Sequence, residues 1–354
     1  MADKTLHKRR HFDVNIPFEN SEPVIVKILL EIKPEWSKEK REFKYFTEGI
    51  SNKLVGCMLQ NGSEKDLIMF RLYGNRTELF IDREQELVNV EFLHARGFAP
   101  KLYATFENGY CCGFIPGRTL ETEEMSDEHL SALIAKKLAR VHAIELPSDF
   151  KTGEPCAFSM IEKFLSVLPD KFDDDVKQTR YEKEILSKVN VVDELKLLKD
   201  KLGNCNVPLV YCHNDLLVKN IIRNKEDDDV SFIDYEYGAY NYSAFDIGNH
   251  FNEFGGVVID PDYSLYPNKD FQLKWLRIYL EEKAKVQGTG DVITEEQLEK
   301  LYVQVNQFAL VSHLFWGVWA LLQANFSSID FDFLLYSRNR LYEYLRRKDE
   351  FLNL

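Results

Sequence analysis

The chain has 354 residues, 45% of them hydrophobic and 29% charged, so it can bury a substantial core and suits two lobes better than one. Its formal net charge of -13 argues against a nucleic-acid or anionic-membrane partner, either of which would need a basic field. Six cysteines in a chain this long, two of them adjacent (Cys111 and Cys112), do not make a disulfide framework and predict a reducing, cytosolic setting.

The N-terminal run MADKTLHKRRHFDVN is basic but has no apolar stretch, so a secretory signal is not expected there. Residues 24–32 (VIVKILLEI) read as a strand or the start of a helix. Residues 54–60 and 67–73 are strand-like runs flanking Asn61-Gly62-Ser63, which predicts a hairpin. A helix is expected from Asp82 or Arg83 to Arg96, closed by Gly97 and Pro100. Lys101–Phe106 and Tyr110–Ile115 make a second strand pair around Asn108-Gly109.

After Gly117 the texture turns helical. Ser126–Ile144 carries Leu130, Leu133, Ile134, Leu138 and Val141 at helical spacing, and Lys171–Lys201 reads as exposed helices or loops. Asp270–Val286 and Thr294–Asn325 are further helices, the second opening on the capping-box pattern Thr294-Glu295-Glu296-Gln297. Its most apolar part, Phe308–Leu322, falls short of the roughly 20 residues a bilayer span needs, so a buried helix is expected and no stable membrane insertion. There is no internal repeat. A strand-rich first third precedes a helix-rich remainder, with the join near 113–118. The expected fold is α+β and bilobal, with a small antiparallel-sheet lobe over residues 1–115 and a larger, mainly helical lobe over 116–354.

The chemistry concentrates between residues 209 and 250. An apolar run ending at Cys212 delivers His213-Asn214-Asp215 into a short loop, and a second run starts at Ile221. A charged turn, Asn224–Asp229, sends the chain back through Val230–Ile233 to Asp234. Asp215 is the candidate general base for a hydroxyl, with Asn220 and Asp234 as oxygen ligands for magnesium, which favours such donors alongside substrate phosphates. Either Asp215 or Asn220 alone would read as a loop cap. Two carboxylates and an amide at strand ends, in the order H-x-D-x-x-x-x-N and then Asp, make the catalytic pattern of the protein-kinase-like fold. His213 is read as a buried brace of this loop, and Asp246 as a structural acid supporting it.

Arg71 stands where a cation is needed on nucleotide phosphates, and Glu86 on the next helix has the position and spacing to pair with it. No G-x-G-x-x-G is present. In its place stands FTEGISNKLVG, where Gly49, Ser51 and Asn52 can form a phosphate-binding turn. Trp316 and Trp319 share one helix face. Tyr237, Tyr240 and Tyr242 crowd the segment after Asp234, and Glu253 follows. Aromatic faces with one carboxylate suit a small organic cation, while the tryptophan spacing taken alone favours core packing over a cage.

The stretches CHNDLLVKNII, FIDYEYGAYNYSAFDIGNHFNEF and QVNQFALVSHLFWGVWAL resemble the choline/ethanolamine kinase family, and RLYGNRTELFIDREQE resembles its ethanolamine kinase branch. The likeness runs from about Phe46 to Tyr336. It implies a kinase-like bilobal fold with a nucleotide-binding first lobe and an amine-binding second lobe. It also implies ATP- and magnesium-dependent phosphorylation of ethanolamine to phosphoethanolamine, the entry step of the CDP-ethanolamine route to phosphatidylethanolamine. On this resemblance Asp215, Asn220 and Asp234 are catalytic, with Asn220 and Asp234 on the metal. Ser51, Asn52, Arg71, Glu86, Phe114 and Ile115 serve the nucleotide, and Tyr237, Glu253, Trp316, Trp319 and Tyr336 hold the amine. Gly113 departs from the Glu or Gln usual there, which implies a looser adenine hinge. Phosphorylation of choline, or of both amines, stays open, as does a catalytically dead binding module. The partners implied are ethanolamine and ATP, in the cytoplasm, and a homodimer is among the assemblies the sequence allows.

Overall fold

In a computed structural model, which describes residues 9–46, 52–74, 77, 81–147, 154–224, 226–256, 258–327 and 329–354, the chain forms two units. One is the chain up to Arg118 together with Asn224–Glu226; the other is Thr119–Arg223 with Asp227–Leu354.

The first unit runs β1 (His11–Phe12), α1 (Glu22–Ile32), β2 (Arg41–Phe46), β3 (Asn52–Leu59), β4 (Ile68–Tyr73), α2 (Arg83–His94), β5 (Leu102–Phe106) and β6 (Gly109–Gly113). Its sheet has the order β1-β5-β6-β4-β3-β2, antiparallel except for the two-residue β1, which lies parallel to β5. The ambiguous stretch 24–32 is helix. Pro23 sits in its first turn, and Ile25, Ile28 and Leu29, three and four apart, form its buried face. That face packs with Val55 and Cys57 of β3 and Phe70 and Leu72 of β4. Side chains alternate across a strand, so Met69 and Tyr73 of β4 point the other way, with Tyr110, Cys112 and Leu87 of α2. The same alternation separates the adjacent cysteines: Cys111 enters the first cluster and Cys112 the second. All six cysteines are free thiols. The predicted hairpin is β3–β4, with Cys57 opposite Ile68. Asp82 caps α2 by accepting the Gln85 N–H at 3.0 Å.

The chain crosses into the second unit at β7 (Arg118–Thr119). There follow α3 (Glu128–His142), α4 (Cys156–Val167), α5 (Asp175–Arg180), α6 (Val191–Leu202), β8 (Leu209–Cys212), β9 (Ile221–Asn224), β10 (Asp229–Phe232) and β11 (Ala239–Tyr242). Helices α7 (Ser243–Asn252), α8 (Lys269–Gln287), α9 (Glu295–Phe326) and α10 (Phe333–Leu352) complete it. Two small sheets, β10-β9-β7 and β11-β8, frame the segment that carries the chemistry.

The capping box at Thr294 is present, with Gln297 N–H donating to Thr294 Oγ1 at 3.2 Å and Thr294 N–H to Gln297 Oε1 at 2.9 Å. Helix α9 is long and apolar enough to cross a membrane, but 89% of its most apolar window is buried inside the fold. It is the central helix of this unit. Every residue of α7 is buried. A Cβ on Gly248 would stand 2.6 Å from the Val305 carbonyl oxygen and 2.8 Å from the Ala309 nitrogen of α9, so glycine lets the two backbones meet. Helix α10 was not anticipated: its many charged residues obscure a buried stripe of Phe333, Leu334, Tyr336, Leu341 and Tyr344.

Candidate active site

Strand β8 ends at Cys212, and the loop that follows is held from beneath by Asp246 of α7. Its Oδ2 accepts the His213 N–H at 2.7 Å and its Oδ1 the Asn214 N–H at 2.8 Å. His142 donates Nε2–H to Asp246 Oδ2 at 2.9 Å and takes the Tyr279 hydroxyl on Nδ1 at 2.8 Å. Burial opposes ionisation of Asp246, but the hydrogen bonds from His142 and from the His213 backbone hold its pKa below the usual carboxylate range. Asp246 is thus the structural acid expected. His213 is fully buried and also braces the loop. Its Nε2–H donates to the Ile233 carbonyl at 2.9 Å, and its Nδ1 accepts the Asp215 N–H at 3.3 Å. Burial pushes His213 below the ordinary histidine range, consistent with a neutral ring. Asn214 and Asp234 both adopt φ of 65°, a left-handed conformation that Asn and Asp tolerate better than most residues.

Asp215 emerges from this brace. Asn220 donates its amide Nδ2 to the Asp215 carbonyl at 2.8 Å and to Asp215 Oδ2 at 3.2 Å, and its own amide oxygen takes no part in either bond. Asp234 follows Ile233, the residue after β10, whose N–H donates to the Asn220 carbonyl at 3.0 Å. The three predicted residues are therefore brought together by one loop and one hairpin. Burial, followed by the charges of Asp234, Glu253 and Glu236, raises the Asp215 carboxyl well above its ordinary range. Such a concentration of carboxylate, with an amide oxygen beside it, fits a hard divalent cation such as magnesium.

The aromatic residues gather in the same unit. Trp319 donates Nε1–H to the Tyr237 hydroxyl at 2.7 Å, and Trp316 donates to Asn249 Oδ1 at 2.7 Å. Tyr237 and Trp316 meet edge to face at 5.1 Å, as do Trp316 and Trp319 at 5.3 Å. Phe333 joins Trp319 at 5.9 Å, and Phe331 links Phe333 to Tyr336. Trp316, Tyr237 and Tyr336 are buried while Trp319 is half-buried, so this wall is both packing and surface. Tyr242 lies elsewhere, against Phe158 and Phe308, with its hydroxyl on the Gly203 carbonyl. Glu253 has a partner that sequence reasoning missed: Arg340 of α10 pairs with it through Nη2. The available signal was Tyr336 and Arg340, four apart and so on one helix face.

In the first unit Arg71 lies on the α2 side of β4, between Met69 and Tyr73, with its Nε 3.4 Å from Glu86 Oε1. Both side chains are buried. Glu86 is held further by the Tyr110 hydroxyl at 3.2 Å and by Arg83 Nη1 at 2.8 Å. Arg83 also reaches Thr77 and Asn52, at 2.5 and 3.5 Å, and covers the Tyr73 ring at 4.1 Å. Arg83 was not anticipated either. Asn52 opens β3, while Ser51 lies outside the described residues, as do Asn75, Arg76 and Glu78. Phe114 and Ile115 follow β6, and Phe114 meets Phe46 at 5.8 Å. The nearest atom to a Cβ placed on Gly113 would be 3.4 Å away, so packing does not demand glycine there.

Residues 43–345 match the family model described as choline/ethanolamine kinase. A probable ethanolamine kinase of Nematostella vectensis is 50% identical over 328 residues, covering 92% of this chain and 93% of that one. Ethanolamine kinase 1 of Homo sapiens is 45% identical over 91% of this chain and 71% of its own length. Among solved structures, an ethanolamine kinase of Plasmodium vivax superposes with a TM-score of 0.77 at 30% identity, covering 92% of this chain and 89% of that one. With the kinase-like loop geometry and a match over most of its length, the chain belongs to the choline/ethanolamine kinase family.

Proposed function

We propose that this protein is an ethanolamine kinase: it transfers the γ-phosphoryl group of ATP to the hydroxyl of ethanolamine, yielding phosphoethanolamine and ADP. The carrying observation is the loop-held set Asp215, Asn220 and Asp234 in the same unit as the aromatic group of Tyr237, Trp316 and Trp319. Preference for ethanolamine over choline rests on relatives at 45–50% identity that are named ethanolamine kinases. This is the entry reaction of the CDP-ethanolamine route to phosphatidylethanolamine.

Asp215 receives the hydroxyl proton as the substrate oxygen forms its bond to the γ-phosphorus and the bond from that phosphorus to the β–γ bridging oxygen breaks. Asn220 keeps the Asp215 carboxylate aimed through its amide N–H. Asn220 and Asp234 would hold magnesium, which when bound offsets phosphate charge and the mutual repulsion of the neighbouring carboxylates. Tyr237, Trp316, Trp319 and Tyr336 present aromatic faces and hydroxyls to the ammonium group, and Glu253 adds a carboxylate. In the first unit Arg71, oriented by Glu86, is the cation for the nucleotide phosphates. Ser51 and Asn52 serve the nucleotide phosphates, and the backbone at Phe114 and Ile115 reads adenine. The six free thiols and the burial of α9 support a soluble, cytoplasmic enzyme.

Steady-state kinetics with both amines test the assignment. The expected result is magnesium-dependent turnover with kcat/KM for ethanolamine at least ~10-fold above that for choline, because a site that hydrogen-bonds a donor rejects an analogue lacking it. A clear preference for choline would reverse the substrate assignment.

A further inference from the structure

Arg340 is 2% exposed and lies outside every motif that identifies the family chemistry. Its guanidinium is divided between two elements. Nε donates to the Tyr336 hydroxyl at 2.9 Å, one turn earlier on α10, and Nη2 pairs with Glu253 Oε1 in the turn that follows α7. The third nitrogen, Nη1, is buried without a hydrogen-bond partner among the described residues. Such an orphan donor is costly, and an apolar side chain would serve packing better than this arrangement does. The position therefore points to a task beyond filling the core.

We propose that Arg340 is a positioning residue that sets amine selectivity. It clamps one oxygen of Glu253 and the hydroxyl of Tyr336, so that the remaining acceptor capacity of both is fixed for a primary ammonium group. This rests on the reading that Glu253 and Tyr336 serve the amine. Tyr336 joins the aromatic group through Phe331 and Phe333, the latter 5.9 Å from Trp319, and Arg340 ties Glu253 to that same tyrosine. A primary ammonium brings three N–H donors that need acceptors in fixed places, whereas a quaternary ammonium brings none and is satisfied by aromatic faces. Arginine can serve both acceptors at once because its donors form a rigid planar fork. Lysine, a single point charge, cannot reproduce that geometry.

The test is steady-state kinetics of the full chain with ethanolamine, choline and ATP for three variants. Arg340→Lys is expected to raise the ethanolamine KM by about tenfold while the choline and ATP KM values move less than about threefold. The double variant Arg340→Met with Glu253→Gln removes both buried charges together, so folding does not have to tolerate an unpaired one. It is expected to keep a parent-like urea midpoint and to lose the ethanolamine preference. Loss of the two amines in equal proportion, or no change in either, would overturn the inference. Trp319→Ala separates the two levels. It should raise both amine KM values more than the ATP KM, and if neither amine KM moves, the aromatic pocket itself is misassigned and the fault does not lie with Arg340.

Discussion

Asp215 stands within the field of three other carboxylates, Asp234, Glu253 and Glu236, and is steered by one amide. In the proposed mechanism Asp215 acts on the substrate hydroxyl and not on the nucleotide. Asp215→Ala should therefore lower kcat by roughly 10²–10⁴-fold, the usual worth of a positioned base. ATP affinity measured by calorimetry should stay within about twofold of the parent. An Asp215→Ala protein with near-parent turnover would remove the base assignment. The residue itself was legible in sequence because its neighbours are close in the chain: His213, Asn220 and Asp234 span 22 positions. Arg340 was not legible, since its partner Glu253 lies 87 residues away. Arg83 was missed although it sits beside Glu86, because a surface pair and a buried clamp have the same spacing.

At the scale of elements, α7 couples the site to the core. One face carries Asp246, which holds the backbone of the catalytic loop, and Gly248 brings the helix against the backbone of α9. Gly248→Ala cannot be absorbed by a rotamer change, because the atoms it would meet are a carbonyl oxygen and a backbone nitrogen. The substitution should cost about 1–3 kcal/mol, the range for overpacking, read as a lower urea midpoint. It should also lower kcat, since displacing α7 displaces Asp246. A variant with parent-like stability would show that α7 and α9 are not in the close register described.

The whole molecule should be acid-sensitive. Burial lowers the pKa of His142, His213, His250 and His313 in the folded state, and for His250 the value falls from 6.5 to about 4. Between those two pH values the unfolded chain binds a proton at this position that the folded chain does not. The contribution of these histidines to stability is thus fully present above pH 6.5 and is lost as the pH falls towards 4. At 1.36 kcal/mol per unit, His250 alone accounts for ~3 kcal/mol of that decline. His250 donates from Nδ1 to the Leu216 carbonyl at 3.2 Å, a bond that asparagine can imitate. His250→Asn should therefore flatten the fall of the urea midpoint across this window, and an unchanged slope would contradict the role given to it.

The small-lobe hairpins, the helix after Asp82, the long helix after Thr294 and the reaction class were legible in the sequence, because each rests on residues near one another in the chain. The β3–β4 hairpin, the caps at Asp82 and Thr294, and the triad of Asp215, Asn220 and Asp234 are of this kind. Family resemblance added the amine. Tertiary structure decided whether VIVKILLEI was strand or helix, and it sent Cys111 and Cys112 into separate clusters. It also drew Tyr237 to the tryptophans while setting Tyr242 against Phe158 and Phe308. Glu253, which reads in sequence as a lone carboxylate awaiting a cation, is already paired with an arginine of α10. The reason is common to all these cases: local hydrogen bonding and periodicity act over a few residues, whereas burial selects among partners that only the folded chain brings within reach.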